Sequence, residues 1–243
     1  MKITIITVTY NCEQEVESTI RSVLDQDWPD LEYIVVDGAS KDGTLDIINR
    51  YHGKISKIIS EPDRGLYDAM NKAVSIASGI WCAFLNAGDV YVNNHVISEL
   101  FESIKQGDEK KVVYGNTELV YRDGHRAFHK TSTIERLQWT FGRYQPYTHQ
   151  AVFYNITKKE DCTYDLRYRI AADYDVACRY WKKYGKSAYY YVPITVCSYK
   201  AFDGVSSNPS NRKKADKEKL LIKFRNRMNL FEIIKDFVRY LIK

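Results

Sequence analysis

From residue 3 to about residue 105 the chain alternates apolar runs with amphipathic segments, and few folds accommodate that alternation. Ile3–Thr9 is a β-branched run. Val16, Ile20, Val23 and Leu24 then recur at 3.6-residue spacing until Trp28-Pro29-Asp30 breaks the pattern. Residues 31–36 form a second run, Asp42-Gly43-Thr44 opens a helix with Leu45 and Ile48 inward, and residues 55–59 form a third. Leu66, Ala69, Met70, Ala73 and Ala77 make an apolar stripe closed by Gly79. Residues 81–85 are a fourth run, and Ile97, Leu100, Phe101 and Ile104 mark one more helix. The pattern predicts an α/β fold, with a mostly parallel central sheet and helices on both faces.

The second half reads differently. Residues 111–114 and 118–121 are strand candidates flanking a Gly115-Asn116 turn, and 147–154 and 187–199 are two more. Between those, Tyr174, Ala177, Cys178 and Trp181 share a helical face. No Pro/Gly/Ser-rich linker divides the halves, so the later strands are expected to extend the same sheet. Residues 202–211 read as a loop and 220–243 as helix.

Charge is unevenly placed. The chain carries a formal +5, but residues 211–243 hold eleven Lys and Arg against four Asp and Glu, a net +7 that leaves −2 for residues 1–210. Five widely spaced cysteines, an odd number, argue against a disulfide framework, and no pair has zinc-site spacing. This usage suits a cytoplasmic protein. No signal peptide is expected at the start, and no window approaches the roughly 18 apolar residues of a spanning helix.

Each apolar run of the first half ends in polar residues, and open α/β sheets bind ligands at such strand ends. In Thr9-Tyr10-Asn11 the tyrosine ring suits a nucleotide base, or the segment is a plain strand-to-helix turn capped by Asn11. Asp37 follows the second run, where a carboxylate would accept from a base N–H or a ribose hydroxyl. A dinucleotide fold would need glycines after the first strand, and Tyr10-Asn11-Cys12-Glu13 supplies none. Arg64, in Pro62-Asp63-Arg64-Gly65, offers guanidinium donors to a base or phosphate, or belongs to a surface turn. Asn86-Ala87-Gly88-Asp89 is either turn chemistry or a pair of oxygen donors for a hard divalent ion beside a diphosphate. Asp173 opens an amphipathic helix as a general base or as a cap, with Asp175 its rival. His149-Gln150 faces an acceptor, or His149 is a satisfied core residue. Asp203-Gly204-Val205-Ser206-Ser207 reads as a lid loop.

Taken in order, these clusters resemble the family 2 glycosyltransferases of GT-A fold, closest to the bacterial cell-surface polysaccharide type that includes colanic-acid transferases. The likeness rests on Thr7-Val8-Thr9-Tyr10-Asn11, on residues 34–44 and 60–72, on Phe84-Leu85-Asn86-Ala87-Gly88-Asp89, and on Ile170-Ala171-Ala172-Asp173-Tyr174-Asp175. It implies an inverting transfer from a nucleotide-sugar, UDP-sugar before GDP-sugar, to a glycan or polyprenyl-diphosphate-linked acceptor. By position, Thr9, Tyr10, Asp37 and Arg64 would hold the nucleotide, Asp173 would be the base, and His149 and Gln150 would lie on the acceptor side. Asn86-Ala87-Gly88 stands where the family has Asp-x-Asp, so Mn²⁺ or Mg²⁺ falls to Asp89, with Asn86 a weaker contact. The implied layout is a catalytic unit over 1–210, divided into a nucleotide half (1–105) and an acceptor half (106–210), then a basic amphipathic helical tail over 211–243.

Two other classes compete: a non-catalytic nucleotide-sugar-binding protein, and a metal-dependent nucleotidyltransferase. In the tail, Leu230, Phe231, Ile234, Phe237, Val238 and Leu241 form one apolar stripe beside seven cationic residues. That combination suits either an anionic membrane surface, which would make the protein peripheral at the inner face of the cell membrane, or packing on protein. A homo-oligomer is open, and no motif points to nucleic acid.

Overall fold

The computed structural model describes residues 1–243 except 106, 142–144, 203–207, 229 and 243. Strands β1 (Ile3–Thr9), β2 (Leu31–Asp37), β3 (Lys57–Ser60) and β4 (Trp81–Phe84) alternate with helices α1 (Val16–Leu24), α2 (Thr44–Asn49) and α3 (Leu66–Ile76). They lie parallel in the order β3-β2-β1-β4. All seven residues of β1 are buried, because helices cover both faces, and this is why its sequence is a continuous β-branched run. Its side chains still alternate between two cores. Ile6 and Val8 join the core that α3 covers, while Ile3 and Ile5 join the one that α1 covers.

The remaining elements are β5 (Val90–Tyr91), α4 (Val96–Phe101), β6 (Val112–Val120), β7 (Arg126–His129), α5 (Leu137–Thr140), β8 (Val152–Asn155), α6 (Ala172–Tyr184), β9 (Tyr189–Lys200), α7 (Arg212–Arg225) and α8 (Leu230–Ile242). Their strands continue the same sheet beyond β4 in the order β8-β6-β9-β5, with β7 on β6.

The sheet is therefore mixed, not mostly parallel. Four strand pairings are parallel and four antiparallel among the described residues. Beyond β4, β8, β7 and β5 enter antiparallel, while β6 and β9 pair in parallel across a crossover that carries α6. A second departure is Gly115-Asn116. It is a bulge inside one long strand, β6, where the register against β9 shifts. A Cβ on Gly115 would lie 2.6 Å from Val196 Cγ2 and 2.9 Å from the Ile194 carbonyl oxygen, so the glycine serves close backbone approach.

Of the α3 stripe, Ala69, Met70, Ala73 and Ala77 are buried, whereas Leu66 is exposed and Tyr67 is buried in its stead. The C-terminal segment forms two helices rather than one, with Arg227 at φ 49 between them. α7 packs on α6 and α8 on α7. No helix among the described residues is long and apolar enough to cross a membrane. All five cysteines are free, with Cys12 half-buried and the others buried.

Candidate active site

The tips of β1 and β2 are laced together before any ligand is considered. Asn11 and Ala39 both adopt positive φ, 51° and 60°, which turns each chain sharply off its strand. Asn11 tolerates this conformation, whereas Ala39 carries a cost of roughly 1–2 kcal/mol. The Asn11 N–H donates to Ser40 Oγ at 2.8 Å, and Asn11 Oδ1 accepts the Lys41 N–H at 2.8 Å. Asp37 is fully buried beneath them. Its carboxylate accepts from Ser60 Oγ at 2.7 Å, from the Ser40 N–H at 3.1 Å and from the Ser40 hydroxyl.

A cavity of about 690 Å³ opens at this C-terminal edge of the parallel strands. Three of its lining residues hold buried polar atoms with no partner among the described residues: Thr9 Oγ1, Asn86 Oδ1 and Gln145 Nε2. Such groups cost about 1–3 kcal/mol each when left unmade, and a bound ligand removes that cost. Tyr10, 58% exposed, lies at the mouth. A Cβ on Gly38 would meet Tyr10 Cδ2 at 3.3 Å and Asp63 Oδ2 at 2.5 Å, so the bare Gly38 backbone leaves room for Asp63 beside the tyrosine ring.

The 86–89 turn is pinned from α1. The Gly88 N–H donates to Thr19 Oγ1 at 2.9 Å, and Thr19 Oγ1 donates to the Asp89 carbonyl at 2.8 Å, while Gly88 itself sits at φ 98. Asp89 is 4% exposed and lines the cavity. Burial pushes its pKa up to about 7, against the pull of the Lys200 N–H (3.2 Å) and the Gln150 amide (3.0 Å). Gln150 thus orients Asp89. His149 Nε2 shares a 2.8 Å hydrogen bond with the Tyr164 hydroxyl, and burial lowers its pKa, keeping the ring neutral.

No group of three His, Cys, Asp or Glu that could hold a metal exists among the described residues. The unpartnered Asn86 Oδ1 and the Asp89 carboxylate nevertheless fit a hard divalent ion. Mg²⁺ and its relatives are held by one or two protein oxygens, with phosphate and water completing the shell.

Across the cavity stands Asp173, on the first turn of α6, half-buried and among the lining residues. Tyr67, from α3, donates its hydroxyl to Asp173 Oδ1 at 3.2 Å and to the Ile170 carbonyl at 2.8 Å. Burial, followed by the neighbouring Asp173 charge, raises the Tyr67 pKa well above its usual value, so it stays a donor. Asp175 does not line the cavity. It faces the other way, accepting from Arg179 Nε at 2.8 Å and Asn226 Nδ2 at 3.0 Å.

Of the residues singled out in the sequence, Thr9, Tyr10, Asn86, Asp89, His149, Gln150 and Asp173 share this cavity. Asp37 and Arg64 are not among its lining residues. The Arg64 guanidinium is three-quarters exposed and pairs with Asp68 at 2.9 Å. Lys72 pairs with Glu61 at 2.9 Å. The guanidinium at the cavity belongs to Arg169, whose Nη1 donates to the Arg64 carbonyl at 2.6 Å. Sequence patterning does not single out Arg169, Asp63 or Tyr67, although Asp63 and Tyr67 lie within residues 60–72 and Arg169 immediately precedes Ile170. The 203–207 lid loop lies outside the described residues.

The model of the family described as Glycosyl transferase family 2 matches residues 4–159. The PGL/p-HBAD biosynthesis glycosyltransferase of Mycobacterium bovis (strain BCG / Pasteur 1173P2) is 30% identical over 207 residues, 84% of this chain and 78% of that protein. WfaP of Escherichia coli, a UDP-Glc:alpha-D-GlcNAc-diphosphoundecaprenol beta-1,3-glucosyltransferase, is 35% identical over 101 residues, 40% of this chain and 39% of that one. Among solved structures, S. aureus TarS 1-349 in complex with UDP-GlcNAc superimposes with a TM-score of 0.69 at 17% identity, covering 99% of this chain and 72% of that one. The mannosyltransferase PcManGT from Pyrobaculum calidifontis, in complex with GDP-Man and Mn²⁺, gives 0.67 at 16% identity, covering 92% and 64%. These two likenesses concern the fold, which is GT-A-like.

Proposed function

Since the chain belongs to glycosyl transferase family 2 and is a glycosyltransferase, we propose that it moves one sugar, with inversion, from a nucleotide-sugar to a hydroxyl of a glycan or polyprenyl-diphosphate-linked acceptor. The observation that carries this reading is the cavity itself. Three unpartnered polar groups and a half-buried carboxylate face one space at the C-terminal edge of the parallel strands. The relatives supply the substrate classes: WfaP is named for UDP-Glc and a diphosphoundecaprenol-linked sugar, and the fold neighbours are bound to UDP-GlcNAc and GDP-Man. A UDP-sugar is the first choice of donor and a GDP-sugar the second.

Tyr10 stacks on the base, with Thr9 Oγ1 and Asp63 beside it. Asp37 holds the loop that shapes this end, through Ser40 and Ser60. Asp173 takes the proton of the acceptor hydroxyl. That oxygen bonds to the anomeric carbon while the bond to the diphosphate breaks and its electron pair leaves with the phosphate. Tyr67 keeps Asp173 oriented, and Arg169 offers fixed positive charge on the same side. Asn86 and Asp89 would hold Mn²⁺ or Mg²⁺, which when bound offsets the charge building on the departing diphosphate.

The protein works at an anionic membrane surface, where a lipid-linked acceptor would be. Supporting this, α8 exposes more apolar side chains than it buries among its described residues. Its Glu232 and Ile233 are buried, whereas Phe231, Ile234, Phe237 and Val238 are exposed.

A donor screen decides the reaction. UDP-glucose, UDP-N-acetylglucosamine and GDP-mannose are offered with and without Mn²⁺ or Mg²⁺, with water taking the place of the acceptor hydroxyl, and released UDP or GDP is measured. Release of pyrophosphate would replace sugar transfer with nucleotidyl transfer. Binding without release of either would leave a nucleotide-sugar-binding protein.

A further inference from the structure

A carboxylate from the C-terminal segment reaches the loop in front of Asp173. Glu218, on α7, is 6% exposed. Its Oε1 accepts the Arg169 N–H at 3.0 Å, and its Oε2 accepts the Ile170 and Ala171 N–H groups at 2.9 and 3.0 Å. Three consecutive amides turned onto one anion form a nest. The nest sits just before the N-terminus of α6, whose dipole favours the same charge.

The three residues gripped this way are the ones whose backbone sets the catalytic side of the cavity. The Ile170 carbonyl receives the Tyr67 hydroxyl, which also donates to Asp173. Arg169 lines the cavity and ties to the Arg64 carbonyl. Ala171 is the residue from which α6, with Asp173 in its first turn, begins. The rest of the α7 contact is ordinary packing. Ala215 and Ile222 are buried, and Asn226 hydrogen-bonds Asp175 on the far side of α6.

We propose that Glu218 is a positioning residue for sugar transfer, holding the 169–171 backbone so that Asp173 meets the acceptor hydroxyl in reactive geometry. This rests on the reading of Asp173 as the base. Two oxygens with formal charge are needed to satisfy three converging N–H donors. A glutamine at 218 would keep the volume but turn an NH₂ group toward at least one of them. A loop released in this way shifts the base, and misplacement of about 1 Å costs up to about 100-fold in rate. Nucleotide binding, built from the opposite wall of the cavity, is left alone.

The test uses the full chain as wild type, Glu218→Gln, Asn226→Ala and Asp173→Asn. Asn226→Ala weakens the same helix–helix contact without touching the 169–171 amides. Turnover is read as nucleoside diphosphate released on hydrolysis of UDP-glucose, UDP-N-acetylglucosamine or GDP-mannose, water taking the place of the acceptor hydroxyl, affinity as UDP binding, and local order as amide exchange of peptides covering 167–175. Glu218→Gln is expected to lower kcat about 10- to 100-fold, leave UDP affinity within about twofold, and speed exchange at 169–171. Asn226→Ala should keep kcat and the exchange of those amides, whatever stability it loses. Unchanged exchange at 169–171 in Glu218→Gln overturns the proposal, as does wild-type kcat. So does an equal loss of kcat in Asn226→Ala, which would make the effect one of general docking. Full activity in Asp173→Asn is a different failure, of the base itself. A dead Asp173→Asn beside a fully active Glu218→Gln removes only Glu218.

Discussion

Asp173→Asn is expected to lower kcat by about 10²–10⁴, the range for a lost general base, with UDP affinity close to wild type. The asparagine still accepts the Tyr67 hydroxyl but takes no proton. Wild-type turnover in this variant would move the base elsewhere, and Asp175 is a poor successor because Arg179 and Asn226 occupy it. Away from the site, Glu32 makes a pH prediction. Burial alone would raise its pKa, but the Ser78 N–H, the Thr4 hydroxyl, the Lys57 ammonium and the Ser78 hydroxyl outweigh burial and hold it at about 2 against 4.5. A carboxylate lowered on folding stabilises above its unfolded pKa, and that contribution is lost as pH falls from about 4.5 to about 2. Urea midpoints against pH should show Glu32→Gln less stable at pH 7 and flatter below 4.5; parallel acid limbs would refute the assignment. At this scale the sequence is legible where a motif fixes the backbone. Thr9, Asn86, Asp89 and Asp173 are all found at the cavity. It misleads where a side chain has a choice of partner, as with Arg64, because the buried i,i+4 carboxylate of Asp68 competes for the guanidinium and no pattern records which arginine wins.

Among elements, the helices and strands of the first half are readable because each buries a periodic apolar face. The second half is harder. β6 looks like two strands with a turn between them, since glycine and asparagine are turn residues. Only the neighbouring β9 explains why one long strand must carry a glycine there. Gly115→Ala should therefore destabilise the protein by about 1–3 kcal/mol, the range for overpacking, visible as a lowered thermal midpoint with the fold intact by circular dichroism. An unchanged midpoint would mean that β9 yields freely. α7 is nearly invisible to hydrophobic patterning, because its buried side includes Glu218, Lys223 and Asn226. Glu218 anchors it by hydrogen bonds to the 169–171 amides, and a search for apolar stripes passes over it.

For the whole molecule, the exposed apolar face of the C-terminal helices invites a direct test. Leu221, Phe224, Phe231, Ile234, Phe237 and Val238 are all exposed, and the same 33-residue segment carries net positive charge. Deleting the segment is a poor probe, since α7 packs on α6. Ile234→Asp combined with Phe237→Asp changes only exposed positions. At low salt the parent chain should float with phosphatidylglycerol vesicles and stay behind with phosphatidylcholine alone, and the double variant should stay behind with both. Equal flotation of parent and variant would remove α8 from the interaction. The order in which the chain can become active follows from the pairing of β5 with β9. Asp89 immediately precedes β5, whose partners are Cys197 and Ser198, and its carboxylate takes the N–H of Lys200. During synthesis the first four strands leave the ribosome with their parallel neighbours already made, yet Asp89 waits on a strand more than a hundred residues downstream. A nascent chain can thus shape the Tyr10 wall of the cavity early, while its Asp89 end stays unfinished until β9 has emerged and docked.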